Sequence, residues 1–168
     1  TVYVATIGDN CETTYTVTVN ASAPFTASSS GNASICPGGS TTISATGGVS
    51  YEWYDGTTLI SSTLSAVVTP STQTQYTCIV TNLLGCQTTV YTTVSVSTPP
   101  VAPVITPSGP TTICSGTTID LSSSYPTNNS WSTGETSSTI TVGTSGTYLL
   151  SYTDAIGCAS TTSDITID

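Results

Sequence analysis

The sequence repeats itself, and the repeat limits the folds open to it more than any other feature. Three segments run from alternating apolar residues into a turn and then a cysteine: residues 1–11, which end at Cys11, Tyr76-Thr-Cys-Ile-Val-Thr-Asn-Leu-Leu-Gly-Cys86, and Tyr148-Leu-Leu-Ser-Tyr-Thr-Asp-Ala-Ile-Gly-Cys158. A second Thr-rich alternating stretch follows each one, over residues 12–19, 87–96 and 159–167. Alternation on either side of an Asx-Gly turn predicts a β-hairpin, because Asn, Asp and Gly tolerate the positive φ such turns require. A second signature lies upstream, where Ile35-Cys-Pro-Gly-Gly-Ser40 matches Ile113-Cys-Ser-Gly-Thr117. Trp53 and Trp131 each fall 17 residues after their cysteine. The order cysteine, strand, Trp strand, short strands, Tyr strand, Gly-Cys turn, last strand occurs twice in full and once in part, over residues 1–24.

That order suits a seven-stranded sandwich, with a Trp of the third strand filling the core and a Tyr at the start of the sixth near the corner. Ser and Thr supply 66 of the 168 residues, spaced between Val, Ile, Leu and Tyr, which favours half-buried strands over helices. The expected fold is all-β: tandem immunoglobulin-like β-sandwich domains, disulfide-stapled, with a partial domain at the N-terminus. Residues 1–24 would be the C-terminal hairpin of the partial domain, 25–99 one complete domain and 100–168 another. Ser97-Thr-Pro-Pro-Val-Ala-Pro103 forms a stiff, extended spacer between the last two. Trp53, Trp131, Tyr76 and Tyr148 are the expected core aromatics. Because Cys36 and Cys114 recur in one frame and Cys86 and Cys158 in another, the expected bridges are Cys36–Cys86 and Cys114–Cys158. Each would close a loop of about 45 to 50 residues, stabilising its domain by on the order of 4 kcal/mol. Cys78 alternates inward with Tyr76 and Val80 and reads as a buried free thiol, and Cys11 as a cysteine whose partner lies upstream.

The absence of Lys, Arg and His, against nine Asp and Glu for a net charge of −9, restricts both partners and chemistry. Nucleic acids and anionic membranes are bound largely through basic groups, so neither is an expected partner. Ser-His-Asp and Cys-His catalysis, Schiff-base lysines and His-ligated metals all need residues this chain lacks. Paired carboxylates such as Glu52 with Asp55, or Glu135 with Asp154, sit in no pocket motif, so no enzyme is expected. No cofactor is expected either; Asp9, Asp55, Asp154 and Asp164 are weak candidates for Ca²⁺, without an Asp-x-Asp-x-Asp loop. There is no apolar run long enough to span a bilayer and no signal peptide, so the chain reads as a mature segment or an excised piece. Six cysteines without a CxxC spacing point to an oxidising compartment.

Ile35-Cys-Pro-Gly38, Ile113-Cys-Ser-Gly116, Trp131-Ser-Thr-Gly-Glu-Thr-Ser-Ser-Thr-Ile-Thr-Val142 and the Asp154-Ala-Ile-Gly-Cys158 turn carry a resemblance that covers nearly the whole chain. It resembles the immunoglobulin-like repeats of very large adhesins on Bacteroidetes cell surfaces, including the mobile adhesins of gliding motility. The resemblance implies export by the type IX route, a cell-surface or extracellular location, and a role as a stalk or repeat segment of an adhesin or surface filament. Neighbouring repeats of the same protein are then the first partners. The alternatives are a module that binds surface glycans or other extracellular proteins through its loops, and a filament subunit whose N-terminal hairpin completes a neighbour by strand addition. The insertion at residues 59–64 is the place expected for domain-specific contacts.

Overall fold

The structure, a computed structural model, describes residues 2–7, 13–18 and 25–168. All regular elements among them are strands. β1 (Val2–Ile7) and β2 (Thr13–Thr18) pair antiparallel, with Val2 opposite Thr18. Asp9 and Cys11, between them, lie outside the described residues.

Eight strands follow: β3 (Ser28–Ser29), β4 (Ala33–Ile35), β5 (Thr41–Thr46), β6 (Ser50–Asp55), β7 (Thr58–Ser61), β8 (Ser65–Val68), β9 (Thr74–Thr81) and β10 (Gln87–Val96). They form a three-stranded sheet, β3-β5-β8, and a five-stranded sheet, β4-β10-β9-β6-β7. Side chains alternate across a strand with period two, so every second residue of each sheet points inward. Ile43, Ala45, Ala66 and Val68 of the smaller sheet thus meet Tyr51, Trp53, Tyr76, Cys78, Val80 and Val94 of the larger one in a single core.

A second core is built the same way from β11 (Ile105–Pro107), β12 (Ile119–Ser123), β13 (Asn129–Trp131), β14 (Thr139–Val142), β15 (Gly146–Tyr152) and β16 (Ser163–Ile167). Sheet β11-β12-β14 supplies Ile119, Leu121, Ile140 and Val142, and sheet β13-β15-β16 supplies Trp131, Tyr148, Leu150 and Ile167. The architecture is all-β and immunoglobulin-like, each core enclosed between two sheets.

One parallel pairing orients everything that follows. β4 runs parallel to the C-terminal end of β10, with Ala33 opposite Val94 and Ile35 opposite Val96. The second core repeats this path: Asp168 N–H donates to Thr111 O and Ile113 N–H to Asp168 O. Cys36 and Cys114, each the next residue, therefore sit at the end of their sandwich where the last strand finishes. The segment between the cores is held at both sides. Ser97 N–H donates to Ile35 O, Tyr125 Oη–H to Val101 O at 3.2 Å, and Ser163 Oγ–H to Pro103 O.

Candidate functional site

The two hairpin turns are built alike, and each ends in a cysteine. Asn82 Oδ1 accepts from Leu84 N–H and Cys86 N–H, both at 2.9 Å. Asp154 Oδ1 accepts from Ile156 N–H at 2.9 Å and Cys158 N–H at 2.8 Å. In both, the backbone N–H of the Asx residue donates to the cysteine carbonyl, and a glycine with φ of 79° (Gly85) or 95° (Gly157) makes the left-handed step a side chain would resist. The turns after Cys36 and Cys114 match as well, with Gly39 N–H donating to Cys36 O at 2.9 Å and Thr117 N–H to Cys114 O at 3.0 Å. The four cysteines are thus two equivalent pairs of positions, one at each end of a sandwich.

Among the described residues the disulfide joins Cys36 to Cys158, with a Cα–Cα distance of 5.4 Å, and Cys86 and Cys114 are free. This corrects the expected Cys36–Cys86 and Cys114–Cys158 bridges. The reason is the parallel pairing. Cys36 lies beside the end of β10 whereas Cys86 precedes its beginning, and the intervening strand at ~3.4 Å per residue puts them roughly 30 Å apart, against a limit near 7 Å for a disulfide. Cys114 and Cys158 are separated in the same way along the final strand. The bridge instead crosses the joint, from the end of the first sandwich to the hairpin turn of the second. Its loop, with a sequence separation of 122, corresponds to on the order of 5 kcal/mol of chain-entropy stabilisation. Together with the segment at 97–104 it gives the joint two covalent connections.

Burial separates the bonded turn from the free one. Cys158 is 1 % exposed, whereas Cys86 lies at the surface beside Leu83 and Leu84, which are 87 % and 73 % exposed. Cys114 borders a cleft of about 360 Å³ lined by Ile113, Ser115, Gly143, Thr144, Ser145 and Asp168. Two leucines at the tip of an Asx-Gly turn, where polar residues are usual, are the sequence signal of this exposed apolar tip.

Trp53 and Trp131 are buried in their respective cores. The Trp131 indole N–H donates to Ser137 O at 2.9 Å, and that of Trp53 has no partner. Tyr148 is buried and its hydroxyl donates to Thr144 O, four residues back, at 2.9 Å. Tyr76 is buried opposite Asp55, and burial raises the pKa of its phenol, with the Asp55 charge adding to the effect. Cys78 is a buried free thiol between Trp53 and Val90 on the neighbouring strands, and burial raises its pKa. Tyr51 and Trp53 face the core while Glu52 and Tyr54 face outward, the Tyr54 hydroxyl donating to Glu52 at 3.1 Å.

The acidic residues are dispersed. Asp55 ends β6, Asp154 is engaged in its turn, and Asp164 lies opposite Leu149 in β16. Among the described residues no three Asp, Glu or Cys side chains come together closely enough to hold a metal ion. A polar cleft of about 530 Å³ beside Asp154 is lined by Pro126, Thr127, Asn128, Ser130 and Thr136, with no aromatic ring in its wall. Residues 59–64 form an exposed edge, with Leu59 and Leu64 at the surface.

No protein family and no curated protein matches the sequence. Among solved structures, the chain is similar to the fibronectin(III)-like modules of Clostridium thermocellum CbhA, with 20% identity, 81% of this chain and 88% of that one covered, and a TM-score of 0.43. Murine CEACAM1b is similar at 12% identity over 80% of this chain and 94% of that one, with a TM-score of 0.40. A 1.5-MDa bacterial ice-binding adhesin, in a structure bearing on its retention at the host cell surface, is similar at 19% identity and a TM-score of 0.41; the alignment covers 80% of this chain and 60% of that one.

Proposed function

We propose that this chain is a tension-bearing spacer in the stalk of an extracellular adhesin or surface filament, a structural segment and not a catalyst. The observation that carries this reading is the bridge across the joint. A disulfide within one sandwich would stabilise that sandwich alone, whereas Cys36–Cys158 fastens two successive sandwiches to each other and limits how far their joint can open. The Pro-rich segment, held at both ends, adds stiffness. A chain without any Lys or Arg offers trypsin-like proteases no cleavage site, which suits a long exposed stalk. The likeness of the repeat motifs to Bacteroidetes adhesin repeats supports the same reading, with neighbouring repeats as the first partners and the cell surface as the location.

Electron microscopy of the full-length polypeptide that carries this segment tests it. A thin fibre beaded at the size of one sandwich is expected, and a compact globule would sink the idea.

A further inference from the structure

We propose that copies of this chain join head to tail through a Cys114–Cys86 disulfide, the Leu83–Leu84 turn of one copy seating at the Cys114 cleft of the next. The joint inside the chain is the template. Cys86 occupies the position of Cys158, in a turn with the same Asx and glycine hydrogen bonds, and Cys114 occupies the position of Cys36, at the same end of the same strand path. The first pair is free and the second is bonded.

Two further observations point to a missing neighbour. Leu83 and Leu84 are more exposed than Ile156 at the tip of the bonded turn, which stays half-exposed, and burying such a pair of leucines would remove apolar area from water. At the other end, Cys114 opens onto a cleft whose wall is uncharged except for Asp168. The two surfaces differ, so the contact is heterologous. Its rotation need not close, and an open contact of this kind propagates as a fibre.

The chemistry balances with an external disulfide as oxidant. The Cys86 thiolate attacks oxidised glutathione, releasing one glutathione and leaving a mixed disulfide. The Cys114 thiolate of the next copy then attacks the Cys86 sulfur and releases the second glutathione. The net change converts two protein thiols and one oxidised glutathione into one protein disulfide and two glutathione molecules. The proposal rests on the equivalence of the cysteines and not on the stalk reading; loss of the ladder described next would leave the intramolecular bridge and the beaded fibre untouched.

The test uses the full chain with Cys11→Ser throughout, incubated concentrated with glutathione redox buffer and run on non-reducing gels. The expected result is a ladder at multiples of 17.0 kDa that reductant collapses. Cys86→Ser alone and Cys114→Ser alone should each remain monomeric, and their equimolar mixture should stop at a dimer. Leu83→Ser with Leu84→Ser, which removes the apolar tip without adding charge beside the thiol, should slow the ladder at least several-fold while leaving the Cys86 thiol equally reactive to a small disulfide reagent, and unchanged melting temperatures show that the variants fold. Dimers formed by either single cysteine variant alone, or a parent protein that stays monomeric with both thiols free, would overturn the proposal.

Discussion

Pulling a single molecule by its ends reads the position of the disulfide as a length. In the oxidised chain the covalent path runs from the N-terminus to Cys36, crosses the sulfurs, and continues from Cys158 to the C-terminus. Residues 37–157 lie in a loop that carries no tension. The path can extend to only about 160 Å at ~3.4 Å per residue, even with the β1–β2 hairpin opened and β3, β4 and β16 stripped from their sheets. Reduction, or Cys36→Ser with Cys158→Ser, places the loop in series and adds about 400 Å of contour length. The assay is force spectroscopy with end-attached handles, before and after reductant. A total gain near 400 Å is expected. Bridges within each sandwich would instead give a total of only about 310 Å, and either that value or no gain would refute the placement of the staple across the joint.

Trp131→Phe should cost about 1 kcal/mol more than Trp53→Phe, because only the Trp131 indole loses a hydrogen bond, to Ser137 O; equal losses in urea titrations would contradict this. Gly48→Ala should be strongly destabilising, since an added Cβ would lie against Val80 Cγ1, a buried core atom, and 2.6 Å from Thr81 O, which accepts from Val49 N–H; a melting temperature within a degree or two of the parent would show that the turn can shift. Burial raises the Cys78 pKa above that of the unfolded thiol, so folding favours the neutral form. The stability this supplies is complete below the ordinary thiol pKa and is lost as pH rises through the raised value. Melting temperature should therefore decline at alkaline pH less steeply in Cys78→Ala than in the parent, and parallel curves would exclude a contribution from Cys78.

Strand content and the two cores were legible because alternation is a local property. Tyr76, Cys78 and Val80 are spaced by two, and so are Tyr148 and Leu150, and that spacing alone sends them to one face. Turn chemistry was legible for the same reason, in Asn82-Leu-Leu-Gly85 and Asp154-Ala-Ile-Gly157. The disulfide was not. Recurrence in a fixed frame shows which cysteines are equivalent, but a bond inside each repeat and a bond from one repeat to the next produce the same recurrence. The choice depends on which end of the sandwich each cysteine occupies, and that follows from β4 running parallel to β10, a non-local pairing no residue near Cys36 announces. The exposed Leu83–Leu84 tip acquires meaning only once the equivalent turn is seen to carry the bonded Cys158.

Disulfide mapping tests the central claim most directly, and the sequence makes it clean. Cleavage before Asp, without reduction, yields peptides 9–54 with Cys11 and Cys36, 55–119 with Cys78, Cys86 and Cys114, and 154–163 with Cys158. Mass spectrometry should find 9–54 linked to 154–163, with fragmentation placing the bond at Cys36 and Cys158. Peptide 55–119 linked instead to 9–54 through Cys36–Cys86, or to 154–163 through Cys114–Cys158, would contradict a staple that spans the joint.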